Sequence, residues 1–114
     1  MINYHERRFT PLSNSENGEL EADTIFVYRQ TDNIVTCTYK GKHVRHGQLL
    51  ALVLDDGSLE MRYQQINFEG ALRTGICHST PELLPDGRIR LYERWQWTSG
   101  DRSSGSSVLE EIPK

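Results

Sequence analysis

Residues 25–39, IFVYRQTDNIVTCTY, decide the fold of this chain. Two runs in this stretch, residues 25–28 and 34–39, are rich in β-branched and aromatic residues, which favour strands. Between them, residues 31–33 read Thr-Asp-Asn, and Asp and Asn favour turns. The stretch therefore predicts a β-hairpin.

The same pattern continues along the chain, because turn signals recur about every eight to twelve residues. Almost no segment spaces its apolar residues as an amphipathic helix would. We predict an all-β fold, an antiparallel up-and-down β-barrel of about eight strands, in one domain of residues 1–114. Residues 13–22 could form a loop or a helical turn, and 99–107, rich in Gly and Ser, should be a mobile connection. The expected strands are residues 7–13, 25–28, 34–39, 43–54, 58–66, 71–80, 88–98 and 108–112.

Composition limits the partners. Hydrophobic residues make up 36% of the chain and charged residues 25%, with a formal net charge of −3 and no basic cluster. Nucleic acid or an anionic membrane surface would need a basic face, so neither partner is expected. The longest apolar run, residues 49–54, is too short for a membrane span, and the N-terminus lacks the apolar stretch of a signal peptide. We expect a cytoplasmic protein.

Alternation within residues 88–98 separates an inner from an outer face. The inner row is Ile89, Leu91, Glu93, Trp95 and Trp97. A second apolar row, Leu59, Met61 and Tyr63, makes Met61 a core residue. The pattern of residues 71–80 does not show which of their two faces points inward.

Glu93 stands out because a carboxylate in an apolar row is costly unless it is paired, hydrogen-bonded or protonated. One interpretation places it near a wetted barrel mouth or against a buried Arg or Tyr. The other makes it a ligand-contacting group with Trp95, Trp97 and Tyr63 as apolar walls. Arg73 could face Glu93 across adjacent strands if the odd residues of 71–80 point inward.

Other chemistry finds little support in the sequence. His43 and His46 lie three apart, so on a strand they would point to opposite faces, and we expect no metal site. Cys37 and Cys77 are interpreted as reduced structural thiols, with a disulfide or a reactive thiol as the alternatives. A nucleophile elbow and a glycine-rich phosphate loop are both missing, so we expect no cofactor, and catalysis is the least favoured reading.

Two stretches carry a family resemblance. Residues 26–39, FVYRQTDNIVTCTY, and 93–100, ERWQWTSG, resemble the avidin and streptavidin family, in which Leu-Thr-Gly-Thr-Tyr and a Trp before Thr-Ser-Gly occur. Here Cys37 replaces the glycine of that family. The resemblance implies an eight-stranded up-and-down barrel with a small ligand inside. It also implies that Tyr39 and Trp95 contact that ligand.

The whole chain is also similar to a group of small bacterial proteins sometimes labelled N-acetylglutamate synthase. Acetyltransferases of that kind are α/β domains with a pyrophosphate-binding loop ahead of a helix, and the sequence predicts neither element.

The leading hypothesis is non-catalytic binding of a small, partly apolar molecule inside the barrel. The alternative is a filled barrel that acts through its outer surface or as a homo-oligomer. The candidate ligand-binding residues are Tyr39, Tyr63, Arg73, Glu93, Trp95 and Trp97.

Overall fold

Antiparallel hairpins run through the whole described chain. The computed structural model describes residues 2–14 and 24–113, and these form strands and turns without a helix. Consecutive strands are joined by short connections wherever the connection is described. The strand segments are β1 (Arg8–Asn14), β2 (Phe26–Val27), β3 (Arg29–Thr31), β4 (Ile34–Tyr39), β5 (His46–Val53), β6 (Leu59–Ile66), β7 (Leu72–Leu83), β8 (Ile89–Trp97) and β9 (Ser104–Glu111).

The sheet is nearly closed into a barrel. Its strand order is β2-β1-β9-β8-β7-β6-β5-β4-β3, so β2 and β3 are the two ends of the sheet. Only Tyr28 separates them in the chain, and its main-chain N–H donates to the Arg7 carbonyl at 3.0 Å. Residues 26–31 thus act as one strand that pairs with β1 at its start and with β4 at its end. With β2 and β3 counted together, the predicted eight-stranded all-β barrel is confirmed.

The hairpin turns follow the predicted chemistry. Gly57 and Gly87 adopt φ angles of 86° and 89°, and residues with a side chain disfavour such positive φ angles. In the first turn the Asp56 carboxylate accepts a hydrogen bond from the Ser58 main-chain N–H at 2.9 Å. Asp86 accepts one from the Arg88 N–H in the same way, at 3.1 Å. The Asp-Asp-Gly and Pro-Asp-Gly signals therefore mark real turns.

One predicted strand, residues 43–54, begins later than expected. Gly41 and Val44 exchange two main-chain hydrogen bonds, of 2.9 and 3.2 Å, which hold residues 41–44 in a turn. His43 belongs to that turn, and β5 starts at His46. The placement of both histidines on one strand was wrong, because the local hydrogen bonds of the turn replace strand pairing there.

The predicted mobile connection, residues 99–107, is also shorter than expected. Ser104 to Ser107 belong to β9 and pair with β8. The remaining turn is held by the Asp101 carboxylate, which accepts from the Ser103 N–H at 3.0 Å. In this part of β9 the small residue Gly105 lies opposite Trp95 of β8. Of the open segment 13–22, residues 13 and 14 lie in β1, and 15–22 fall outside the described residues.

The inward faces of β8 and β6 are those predicted from alternation, and Met61 is buried. In β7 the odd residues point inward, which decides the face that the sequence left open.

Cys37 and Cys77 are free and buried, and burial raises the pKa of the Cys37 thiol to about 12. The largest fully buried apolar side chains are Tyr4, Tyr28, Phe9, Leu59, Ile89, Leu91, Leu109, Val35 and Val44.

The N-terminal segment seals one end of the barrel. The Tyr4 side chain has 0% exposure, its hydroxyl donates to the Gly57 carbonyl at 2.5 Å, and its ring packs against Phe9 and Tyr28. The opposite end, where β4, β6 and β8 finish, is called the mouth below. No helix within residues 2–14 and 24–113 is long and apolar enough to cross a membrane.

Candidate functional site

An aromatic pair under a cation occupies the mouth. Tyr63 on β6 meets Trp97 on β8 edge-on, with ring centroids 5.5 Å apart. The guanidinium of Arg73 on β7 lies 3.8 Å from the Trp97 ring centroid, a cation–π contact. Its side chain is 20% exposed and stands 4.0 Å from the carboxylate of Asp101, which is well exposed. The mouth therefore combines apolar walls with one positive charge.

Tyr39 forms the other wall of the mouth. Its hydroxyl donates to the side-chain carbonyl of Gln65 at 2.8 Å, and both side chains are buried. Phe26 packs on the Tyr39 ring at a centroid distance of 4.7 Å. Burial raises the pKa of Tyr39 well above its usual value, so the hydroxyl stays protonated and donates. Tyr39 is thus held in one orientation.

Glu93 lies deeper, below Trp95 and Trp97 on the inward row of β8. Its carboxyl accepts hydrogen bonds from the hydroxyls of Ser79 at 2.7 Å and Ser107 at 3.2 Å. Burial raises the pKa of Glu93, and these hydrogen bonds lower it only in part. No Lys or Arg of the described chain forms an ion pair with this carboxyl, and Glu93 as a whole is 6% exposed.

The Tyr28 hydroxyl is a second polar group of the interior. It is buried and has no hydrogen-bond partner among the described residues. Burial raises the pKa of Tyr28, and the Glu93 charge is the next largest influence in the same direction. Tyr28 therefore leaves one buried hydroxyl of the barrel interior without a hydrogen-bond partner among the described residues.

The expected contact between Arg73 and Glu93 does not form. The odd residues of β7 do point inward, but the register sets Ser79 opposite Glu93, and Arg73 lies six residues away. At roughly 3.3 Å per residue this is about 20 Å along the strand. The expectation of a buried Arg or Tyr partner was therefore wrong, and two serines take that place. Glu93 also does not lie at a wetted mouth, because Trp95 and Trp97 separate it from that end.

All six candidate residues point into the barrel. Tyr39, Tyr63, Arg73 and Trp97 meet at the mouth, and Trp95 connects this group to Glu93, since its ring lies 5.8 Å from that of Trp97. Among the described residues, no three His, Cys, Asp or Glu side chains gather as a metal site.

A family model described as avidin-like protein matches residues 2–112. The chain belongs to this family. Membership in the avidin-like family suggests small-molecule binding in the barrel, without identifying a ligand. A search of the curated proteins found no match.

Gln65 and Tyr28 are among the polar residues inside this avidin-like barrel that we did not predict from the sequence. Gln65 extends the inward alternation of Leu59, Met61 and Tyr63 by one step, so that signal was present. Tyr28 was placed on a strand, but nothing in its neighbourhood indicated an unpartnered hydroxyl. The role of Tyr39 and Trp95 as ligand contacts stays a prediction.

We expect Glu93 to make the stability of the avidin-like barrel depend on pH. Because the folded-state pKa is raised, the unfolded chain ionises first as pH rises above the usual value of about 4.5. The stabilisation by Glu93 is therefore complete below that pH and is lost as pH rises through the folded pKa. Urea unfolding of the wild type and Glu93→Gln across this range should show the wild-type advantage shrinking as pH rises.

Glu69→Gln, at an exposed turn, is the control and should leave the pH profile unchanged. A constant difference between the wild type and Glu93→Gln at every pH would show that the pKa of Glu93 is not raised by folding.

Proposed function

We propose that the chain binds a small, partly apolar molecule inside the barrel, between the mouth and the polar groups below it, and performs no catalysis on it. Two observations carry this proposal: the buried Glu93 carboxyl is held by two serines and no cation, and the buried Tyr28 hydroxyl has no partner among the described residues. Buried polar groups are normally satisfied, and leaving them short of partners lowers stability. A ligand that hydrogen-bonds there would supply what the fold lacks.

The mouth residues supply the apolar part of the proposed site. Trp97, Tyr63 and Tyr39 come from three different strands and offer aromatic walls, which small-molecule pockets favour. Arg73 covers Trp97 and contacts Asp101 only loosely, at 4.0 Å. A polar or anionic end of the ligand can take the place of Asp101 against Arg73. The ligand class is therefore a molecule with an apolar body and polar groups at its ends.

The test is native mass spectrometry of gently purified protein, compared with the mass of the denatured chain. We expect an added mass that disappears on denaturation and that identifies the occupant. Trp95 and Trp97 are the only tryptophans in the sequence, so their emission reports on the proposed site alone when the released molecule is added back.

Trp97→Ala should weaken binding of the released molecule by at least about tenfold, because an aromatic wall is lost. Tyr92→Ala, which changes an outward aromatic residue on the same strand, is the matched control and should bind as the wild type does. The proposal fails if the wild type carries no added mass and its emission responds to no member of a metabolite panel. It also fails if Trp97→Ala binds with unchanged affinity.

A further inference from the structure

A groove crosses the outer face of β6 to β9. Outward residues of these strands line it, among them Arg62, Ile76, His78, Arg94 and Gln96. Its volume is about 450 Å³, which falls within the range of small-molecule sites. Because these side chains point away from the interior, the groove is separate from the site proposed inside the barrel.

Arg94 stands in this groove without an acidic partner. The contrast is Arg90 on the same outward side of β8, which lies opposite Glu110 of β9 and pairs with its carboxylate at 2.6 Å. Opposite Arg94, β9 supplies Ser106 and β7 supplies His78. No carboxylate of residues 2–14 and 24–113 forms an ion pair with Arg94. Its positive charge is therefore left uncompensated by the described chain.

Arg62 is a second cation of this kind. Its cross-strand neighbours are Leu50 and Ile76, and its guanidinium donates to the Met61 main-chain carbonyl at 3.0 Å. No carboxylate among the described residues forms an ion pair with Arg62. Arg62 and Arg94 are two strands and one outward position apart, which is roughly 12 Å between Cα atoms at the usual strand spacings. Two arginine side chains can span this distance, and they would meet above β7.

The groove is rich in hydrogen-bond donors and poor in free negative charge. Among the described residues that line it, Glu60 is the one carboxylate, and it already lies 3.5 Å from His78. The planar guanidinium of arginine matches the oxygens of phosphate and carboxylate groups. A carboxylate has only two oxygens, whereas a phosphate group can accept hydrogen bonds from two guanidinium groups on opposite sides.

We propose that this groove binds the phosphate group of a small molecule between Arg62 and Arg94. Gln96, next to Arg94 on the outward side of β8, adds a neutral donor. The rest of the ligand lies over β9, where the small residues of 104–106 leave room.

The experiment titrates pyrophosphate, as the probe, into the full chain at low salt and measures heat by calorimetry. The wild type should bind it with a dissociation constant below about 1 mM. Arg62→Gln and Arg94→Gln should each weaken binding by at least about fivefold, because each removes charge-assisted hydrogen bonds. Arg45→Gln makes the same change at an exposed turn outside the groove and should bind as the wild type does.

Glu60→Gln removes a negative charge from the groove and should tighten binding. A wild type that releases no heat at up to about 10 mM pyrophosphate overturns the proposal. It is also overturned if Arg62→Gln and Arg94→Gln bind with unchanged affinity, or if Arg45→Gln loses as much as they do. Loss of binding in Arg73→Gln would place the anion at the barrel mouth and contradict the proposal in the same way.

Circular dichroism of each variant checks that the barrel is folded. Glu60, Arg62 and Arg94 are exposed and point away from the interior, so their substitution should leave the fold intact. For the same reason, failure of this proposal leaves the proposed ligand site inside the barrel untouched.

Discussion

Tyr4→Ala should lower the free energy of unfolding by about 3–5 kcal/mol, in the range of large aromatic truncations in a core. Tyr4 is fully buried, packs on Phe9 and Tyr28, and joins the N-terminal segment to the turn at Gly57. Removing the ring leaves a cavity at the sealed end and opens it to water. Chemical denaturation followed by circular dichroism measures the loss.

Two variants separate packing from hydrogen bonding in this result. Tyr4→Phe keeps the ring and loses only the hydroxyl, so we expect a cost of about 1 kcal/mol. Tyr92→Ala removes an exposed tyrosine and should change stability by less than about 1 kcal/mol. If Tyr4→Ala proves no more costly than Tyr92→Ala, residues 2–7 do not seal the barrel.

Gly47→Ala should cost about 1–3 kcal/mol, because a Cβ atom at this position overlaps the Tyr39 ring. Tyr39 lies flat across the neighbouring strand at Gly47 and cannot move aside easily, since Gln65 and Phe26 hold it. The glycine is needed for this close approach and not for its backbone angles. Denaturation of the single variants and the double variant gives the coupling energy.

In the Tyr39→Ala background the added methyl group meets no ring. Gly47→Ala should therefore cost nothing further there, and the double-mutant cycle should be strongly non-additive. Additive costs would mean that the ring does not restrict residue 47.

The barrel could be predicted because alternation is clear wherever large apolar residues line the inner face. The inward row of β8 ends in Trp95 and Trp97, and both rings are buried. Turn residues such as Asp56 and Gly57 fixed the hairpin positions through local hydrogen bonding. These signals lie within a few residues of one another, so a single sequence displays them.

The inward face of β7 could not be predicted because its inward residues are small. A Cβ atom at Gly75 would overlap the Tyr63 ring of β6, and Cys77 lies opposite Trp95 of β8. The rings that fill the interior here come from the neighbouring strands, so the inward row of β7 does not look apolar by itself. Gly105 and its neighbours in β9 are also small, and for this reason they resembled a flexible connection.

In the candidate site, too, features that are local in sequence could be predicted and contacts between strands could not. Alternation placed Trp95, Trp97, Glu93 and Tyr63 inside correctly, but it does not tell which residues meet across strands. Those contacts depend on register, so Arg73 was named only as a residue that could face Glu93, whereas two serines bind its carboxyl. The Tyr28 hydroxyl was beyond prediction, since its lack of a partner is a property of the assembled interior.

The order of strands in the sheet has a consequence for how the protein is made. β1, near the start of the chain, pairs with β9, near its end, so Phe9 lies beside Glu111. During synthesis β1 and β8 keep exposed edges until β9 has left the ribosome, and such edges invite pairing with other chains. The barrel can therefore close only after β9 has been synthesised, and nascent chains that stop before β9 should depend on chaperones to stay free of aggregates.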